Sequence, residues 1–178
     1  MIYKILSDAK FGCLYPDFKQ ISLLTQDRKG FLAAKSGKRP FNDSWVELEG
    51  IAENGDNAPD ISRLSGFHMV LSPNARNVLA PLLEELGEFL PLTLRGEHYH
   101  LFNCDHTLDA VDQQRSTLNE FDEIENLKLD ENKVQGETLW GIRFGSSRSL
   151  FCNTAFKQQV EEAGLSGLTF TTDLKARG

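Results

Sequence analysis

His98, His100, Cys104, Asp105 and His106 come closest, in type and spacing, to residues that could do chemistry. On a strand, His98 and His100 would project from one face, with a thiol, a carboxylate and a third imidazole close behind. Such a set could hold zinc or iron, or pair Cys104 as a nucleophile with His106 as its base. The metal reading lacks a second cluster at recognisable ligand spacing. The nucleophile reading lacks anything that marks an oxyanion hole, and Asp105 disfavours a thiolate beside it. Edge histidines and a reduced thiol explain the same residues with fewer assumptions. The expectation is no enzyme, no catalytic residue, no metal and no cofactor, with a small metal-dependent or cysteine hydrolase as the alternative.

Other motifs fare no better. Gly136, Gly141 and Gly145 do not make a phosphate loop, and Gly164-Leu165-Ser166-Gly167 lacks the following Lys. Ser146-Ser147-Arg148-Ser149 could hold an anion, although a hairpin turn explains it as well. The adjacent carboxylates Glu84-Glu85, Asp122-Glu123 and Glu161-Glu162 fit solvated faces better than acid–base pairs.

The elements around these residues follow from local pattern. Met1 to Leu6 is expected as a strand, Tyr15-Pro16-Asp17 as a turn or helix start, and Phe18 to Thr25 as either strand or helix. Gly30 to Ala34 is a short apolar piece, residues 36–40 are a loop, and Trp45 to Leu48 is a further strand. Phe67 to Leu71 is a buried strand feeding a helix. Ser72 is its N-cap, Pro73 sits where a missing N–H costs nothing, and Ala75, Val78, Leu79, Leu82, Leu83 and Leu86 recur at helical spacing until Gly87. Glu88 to Thr93 and His98 to Asn103 are paired strands joined through Leu94-Arg95-Gly96-Glu97. Leu108 to Asp112 opens a short helix. Leu139 to Phe144 and Ser149 to Cys152 form a second hairpin; Asn153 or Thr154 then caps a helix that stops at Gly164, and Leu168 to Phe170 is a last strand. The fold class is α+β: a mixed, mostly antiparallel sheet with helices packed on it.

A length of 178 residues suits one domain, and 40% hydrophobic with 25% charged residues is ordinary for a globular chain. The turn-rich residues 50–60 are the best exposed connection, so two subdomains, residues 1–60 and 61–178, would meet there. Cys13, Cys104 and Cys152 are widely spaced and contain no Cys-x-x-Cys pair, as for reduced thiols. No signal-peptide apolar region or membrane-length apolar run occurs, so the expected location is cytoplasmic, away from the membrane.

The formal charge of −7 is uneven. Residues 1–46 sum to +4, whereas Glu47, Glu49, Glu53, Asp56 and Asp60 give residues 47–60 a charge of −5. Glu120, Asp122, Glu123, Glu125, Asp130 and Glu131 against Lys128 and Lys133 give residues 120–133 a charge of −4. This sign disfavours nucleic acid and would steer in a basic partner. Partner-binding residues are therefore expected among the two acidic stretches, at Glu47, Glu49, Glu53, Asp56, Asp60, Glu120, Asp122, Glu123 and Glu125. Trp45 and Phe121 are the aromatics nearest them.

From Gly66 to Phe170 the chain resembles a bacterial family of polymorphic-toxin immunity proteins, long classed as a domain of unknown function. The resemblance rests on Phe67-His68-Met69-Val70-Leu71-Ser72, the helix to Leu83, Gly87-Glu88-Phe89-Leu90-Pro91-Leu92 and Tyr99-His100-Leu101-Phe102-Asn103. Leu108-Asp109, Phe151 with Phe156, and Gly164-Leu165-Ser166-Gly167-Leu168-Thr169-Phe170 extend it, and Ile2-Tyr3-Lys4 and Trp45 are also similar. Residues 7–44 match little. The resemblance implies a protein that binds a cognate toxin, commonly a nuclease, delivered by a contact-dependent or type VI secretion system. It supplies no catalytic motif, and an adaptor of the secretion apparatus is the further alternative.

Overall fold

The computed structural model describes residues 1–17, 19–20, 45, 47–53 and 57–176. Its strands are β1 (Ile2–Ser7), β2 (Leu14–Pro16), β3 (Leu48–Ala52), β4 (Ile61–Arg63), β5 (His68–Leu71), β6 (Gly87–Leu94), β7 (Glu97–Cys104), β8 (Thr117–Leu118), β9 (Ile124–Asn126), β10 (Leu139–Phe144), β11 (Ser147–Asn153) and β12 (Leu168–Thr171). The described helices are α1 (Pro73–Leu83), α2 (Glu131–Val134) and α3 (Thr154–Glu162). Strand outweighs helix, so the α+β class holds broadly with a strong bias to β. One sheet has the order β10-β11-β1-β12 and is antiparallel throughout. The other has the order β2-β3-β6-β7-β5-β4, in which β3 runs parallel to β6 and the remaining neighbours are antiparallel. A short β8-β9 ribbon stands apart.

Helix α1 forms where its cap and apolar spacing place it. The Ser72 hydroxyl accepts from the Ala75 N–H at 3.1 Å, satisfying a donor that the first helical turn leaves over. Ala75, Leu79 and Leu83 on its buried face join Phe156 and Val160 of α3 in one core with Met69, Leu71 and Phe102 of the six-stranded sheet. Ile5, Leu139, Leu150 and Cys152 of the four-stranded sheet complete that core. Side chains alternate along a strand, so the opposite face of the six-stranded sheet needs its own cover. There Val70, Leu90, Leu92 and Leu101 cluster with Leu14 and Leu48 of the same sheet and with Leu64 from the β4–β5 connection. A third cluster packs Trp140, Ile142 and Phe151 against Ala110, Val111, Leu127 and Leu129.

Two tight turns fix register. Arg95 and Gly96 have φ of 53° and 82°, the left-handed pair that a two-residue hairpin loop requires between Leu94 and Glu97. Gly145, at φ 57°, opens the turn between Phe144 and Ser147. Asn153 caps α3 by accepting from the Phe156 N–H at 3.0 Å, and Gly164 at φ 65° follows its end.

Four sequence expectations need correction. Tyr15 and Pro16 lie in β2, an edge strand, where a proline without an N–H leaves no ladder bond unmade. The strand expected at Trp45 to Leu48 begins at Leu48. Gly87 does not stop the helix but starts β6, several residues after α1 ends at Leu83. Leu108 to Asp112 is not helical: Thr107 bridges Gly141, Val111 bridges Leu129, and Ala110 and Val111 are buried in the third cluster. Tertiary burial outweighed local helix preference there. The expectations for residues 21–40 lie outside the described residues.

A row of polar side chains crosses the middle of the six-stranded sheet. His68 stands opposite Asn103, which stands opposite Glu88. All three are buried, and the Asn103 amide donates to Glu88 Oε1 at 3.0 Å. Burial pushes the His68 imidazole down to about 4, with its Nδ1 3.1 Å from the Ser65 carbonyl oxygen. It is a neutral core histidine at neutral pH. Among the described residues no helix is long and apolar enough to cross a membrane.

Candidate functional site

The chemistry-bearing residues of β7 and its exit do not converge. His98 is largely exposed, with Nδ1 3.5 Å from Glu47 Oε1. His100 meets the Phe89 ring edge-on at 6.2 Å, and burial, then the nearby Arg76 charge, lower its pKa. Cys104 is fully buried in the first core and donates weakly to the His106 carbonyl oxygen at 3.6 Å. His106 turns the other way, its Nε2 2.6 Å from Glu137 Oε2. Its backbone also accepts from the Gly141 N–H at 2.9 Å, so the segment acts as a strap between the two sheets. Among the described residues no group of three His, Cys, Asp or Glu side chains could hold a metal. Burial raises the Cys152 thiol well above its ordinary pKa, which suits an unreactive core position.

The first acidic stretch divides between solvent and scaffold. Trp45 is half-buried against the second core, and its indole N–H donates to the Pro91 carbonyl oxygen at 3.0 Å. Glu47 accepts from the Thr93 hydroxyl, and that bond, followed by His98, holds its carboxyl below the usual range despite some desolvation. Glu49 and Ile51 share one face of β3 and are exposed, Ile51 to 38%, as is Glu53 just past the strand's end. Asp56 lies outside the described residues. Asp60 is directed inward: Oδ2 accepts from the Ser166 N–H at 3.0 Å and hydroxyl at 2.7 Å, and Oδ1 from the Ser72 hydroxyl at 3.2 Å. It thereby ties the start of α1 to the turn before β12.

The second stretch presents a rigid tip. Asn119 Oδ1 accepts from the N–H groups of Phe121 at 2.9 Å and Glu123 at 3.0 Å, closing the loop on itself. Asp122 adopts a left-handed φ of 60°, and its carbonyl oxygen accepts from the N–H and hydroxyl of Ser146 at 3.2 and 3.0 Å. The loop is thus docked on the β10–β11 turn, where a Cβ added to Gly145 would stand 2.5 Å from the Asp122 oxygen. Phe121 at the tip is 73% exposed. Glu120, Asp122 and Glu125 are exposed around it, and the half-buried Glu123 accepts from the Asn119 amide at 3.2 Å. A large apolar ring is thus held in solvent by hydrogen-bonded backbone and rimmed by carboxylates.

A family model described as an immunity protein family, Imm11, matches residues 20–174. The chain belongs to the Imm11 family of immunity proteins. The Imm11 match takes in both acidic stretches and also residues 20–44, beyond the segment in which the sequence itself resembles such proteins. No curated protein matches the chain. Sequence reasoning missed Ile51, whose exposure depends on which face of β3 is covered. It did not see that Asp60 faces inward, because its partners Ser72 and Ser166 lie elsewhere in the chain.

Proposed function

We propose that this Imm11 protein binds a cognate secreted toxin and blocks its substrate cleft, converting nothing itself. Membership of an immunity family carries the reading, and the Phe121 loop is the feature best suited to it. In this reading the toxin is a nuclease delivered by a contact-dependent or type VI system, and the protein meets it in the cytoplasm. A nuclease must approach phosphates and so exposes basic surface, which an acidic protein can compete for. Glu120, Asp122, Glu123 and Glu125 steer the encounter, while Phe121 supplies buried apolar contact. Glu47, Glu49 and Glu53, with Ile51 among them and Trp45 behind, form a second acidic face that extends the same field.

Steering has a kinetic signature. Replacing Glu120, Asp122 and Glu123 together by Gln, Asn and Gln is expected to slow association with the neighbouring toxin about tenfold at low salt, with the gap closing as salt rises. Asn tolerates the left-handed backbone at position 122, and Gln at 123 keeps an acceptor for Asn119, so the loop survives the change. Stopped-flow association rates measure it; an unchanged rate at low salt rejects this loop as the steering element.

A further inference from the structure

We propose that the cleft where β1 and β11 part is a binding site for a phosphate-bearing small molecule, gripped by Arg63, Arg148 and neighbouring serine hydroxyls. The β1–β11 ladder runs from Ile2↔Asn153 to Lys4↔Phe151 and stops there. Both strands nevertheless continue, β1 to Ser7 alongside β12 and β11 back to Ser147 alongside β10. Between them opens a cleft of about 490 Å³, lined by Arg63 and Arg148, by Ser7, Ser147 and Ser149, and by Lys175. That volume falls within the range of small-molecule sites, roughly 300–1,000 Å³.

Among the described residues positive charge outweighs negative in this cleft, where Arg63, Arg148 and Lys175 share the lining with one carboxylate, that of Glu123. Arg63 donates from Nη2 to the carbonyl oxygens of Gly66 at 2.7 Å and Arg148 at 3.4 Å, both neutral acceptors. Its Nε and that of Arg148 are sealed from solvent and meet no acceptor among the described residues. Neither guanidinium pairs with a carboxylate among those residues. The Glu123 carboxylate in the lining accepts from the neutral Asn119 amide at 3.2 Å. Burial pulls the Arg63 pKa down only to about 10, so the cation persists at neutral pH. Cations in a cleft with so little negative charge are costly, and the guanidinium groups with the hydroxyls of Ser147 and Ser149 offer more donors than one carboxylate can accept, whereas the Ser7 hydroxyl donates to the Arg63 carbonyl oxygen at 3.3 Å. A phosphate monoester presents three terminal oxygens and suits guanidinium forks. The protein as a whole carries −7, so capture here would be local and specific, not a diffuse attraction. The site stands independently of toxin binding.

The test is calorimetric titration of the full chain at low salt with inorganic phosphate and adenosine 5′-monophosphate, using glutarate as the carboxylate control. Both phosphates are expected to bind one per chain, with glutarate at least about tenfold weaker. Arg148→Gln is expected to weaken adenosine monophosphate binding about tenfold or more, the loss of one charged hydrogen-bonding group. Should that variant fail to fold, Ser147→Ala carries the test with an expected loss of about threefold. Absence of binding by either phosphate at millimolar concentration, equal affinity for glutarate, or unchanged affinity in the folded variant overturns the proposal.

Discussion

Gly87→Ala is expected to destabilise the fold by about 3 kcal/mol, the upper range for forcing extra volume into a packed site. A Cβ at residue 87 would lie 2.3 Å from the Asn103 carbonyl oxygen and 2.7 Å from Phe102 Cζ. Neither neighbour can yield cheaply. The oxygen belongs to β7 backbone within the β6–β7 ladder, and the Phe102 ring is fully buried in the core shared by both sheets and both long helices. Gly96→Ala provides the internal contrast, because its Cβ would meet nothing within 4 Å and the only cost is the left-handed backbone. That cost is about 1–2 kcal/mol for a residue with a side chain. Urea unfolding of the two variants separates steric from conformational demand. Equal midpoints would show that residue 87 has room the geometry denies it.

Phe121→Ala is expected to weaken toxin binding by about 2 kcal/mol, roughly thirtyfold in Kd, as for an aromatic anchor at an interface. Its ring is 73% exposed, so the variant should unfold within about 0.5 kcal/mol of the parent. The loss should appear in the dissociation rate, since truncating an apolar anchor leaves long-range steering untouched. Charge removal at Glu120, Asp122 and Glu123 should do the reverse and act on association. Surface-immobilised toxin read by interferometry resolves the two rates. A Phe121→Ala variant with unaltered dissociation would remove this loop from the interface.

Local signals carried much of the fold. Ser72-Pro73 followed by apolar residues at helical spacing located α1, and Arg95-Gly96 located the hairpin, because capping and turn geometry depend on adjacent residues alone. Longer-range facts were hidden. Nothing in Ile2 to Ser7 says that this strand lies between β11 and β12, whose residues are distant in the chain. The termination read at Gly87 was chemically sensible, yet glycine is demanded there by the approach of Asn103 and not by a helix end. The same gap applies to the surface. Trp45 and Phe121 look alike as aromatics beside acidic runs, but one is half-buried on the second core and the other stands in solvent. Asp60 and Glu120 are both carboxylates in acidic stretches, and only the partners Ser72 and Ser166 distinguish a tether from an exposed charge.

Survival of cells that make both this protein and its cognate toxin tests the central claim most directly. Full protection by the intact chain, reduced by Phe121→Ala at equal protein level, is the result expected of a toxin-binding immunity protein. Cell death at wild-type rate, with the folded chain in excess over the toxin, would contradict it.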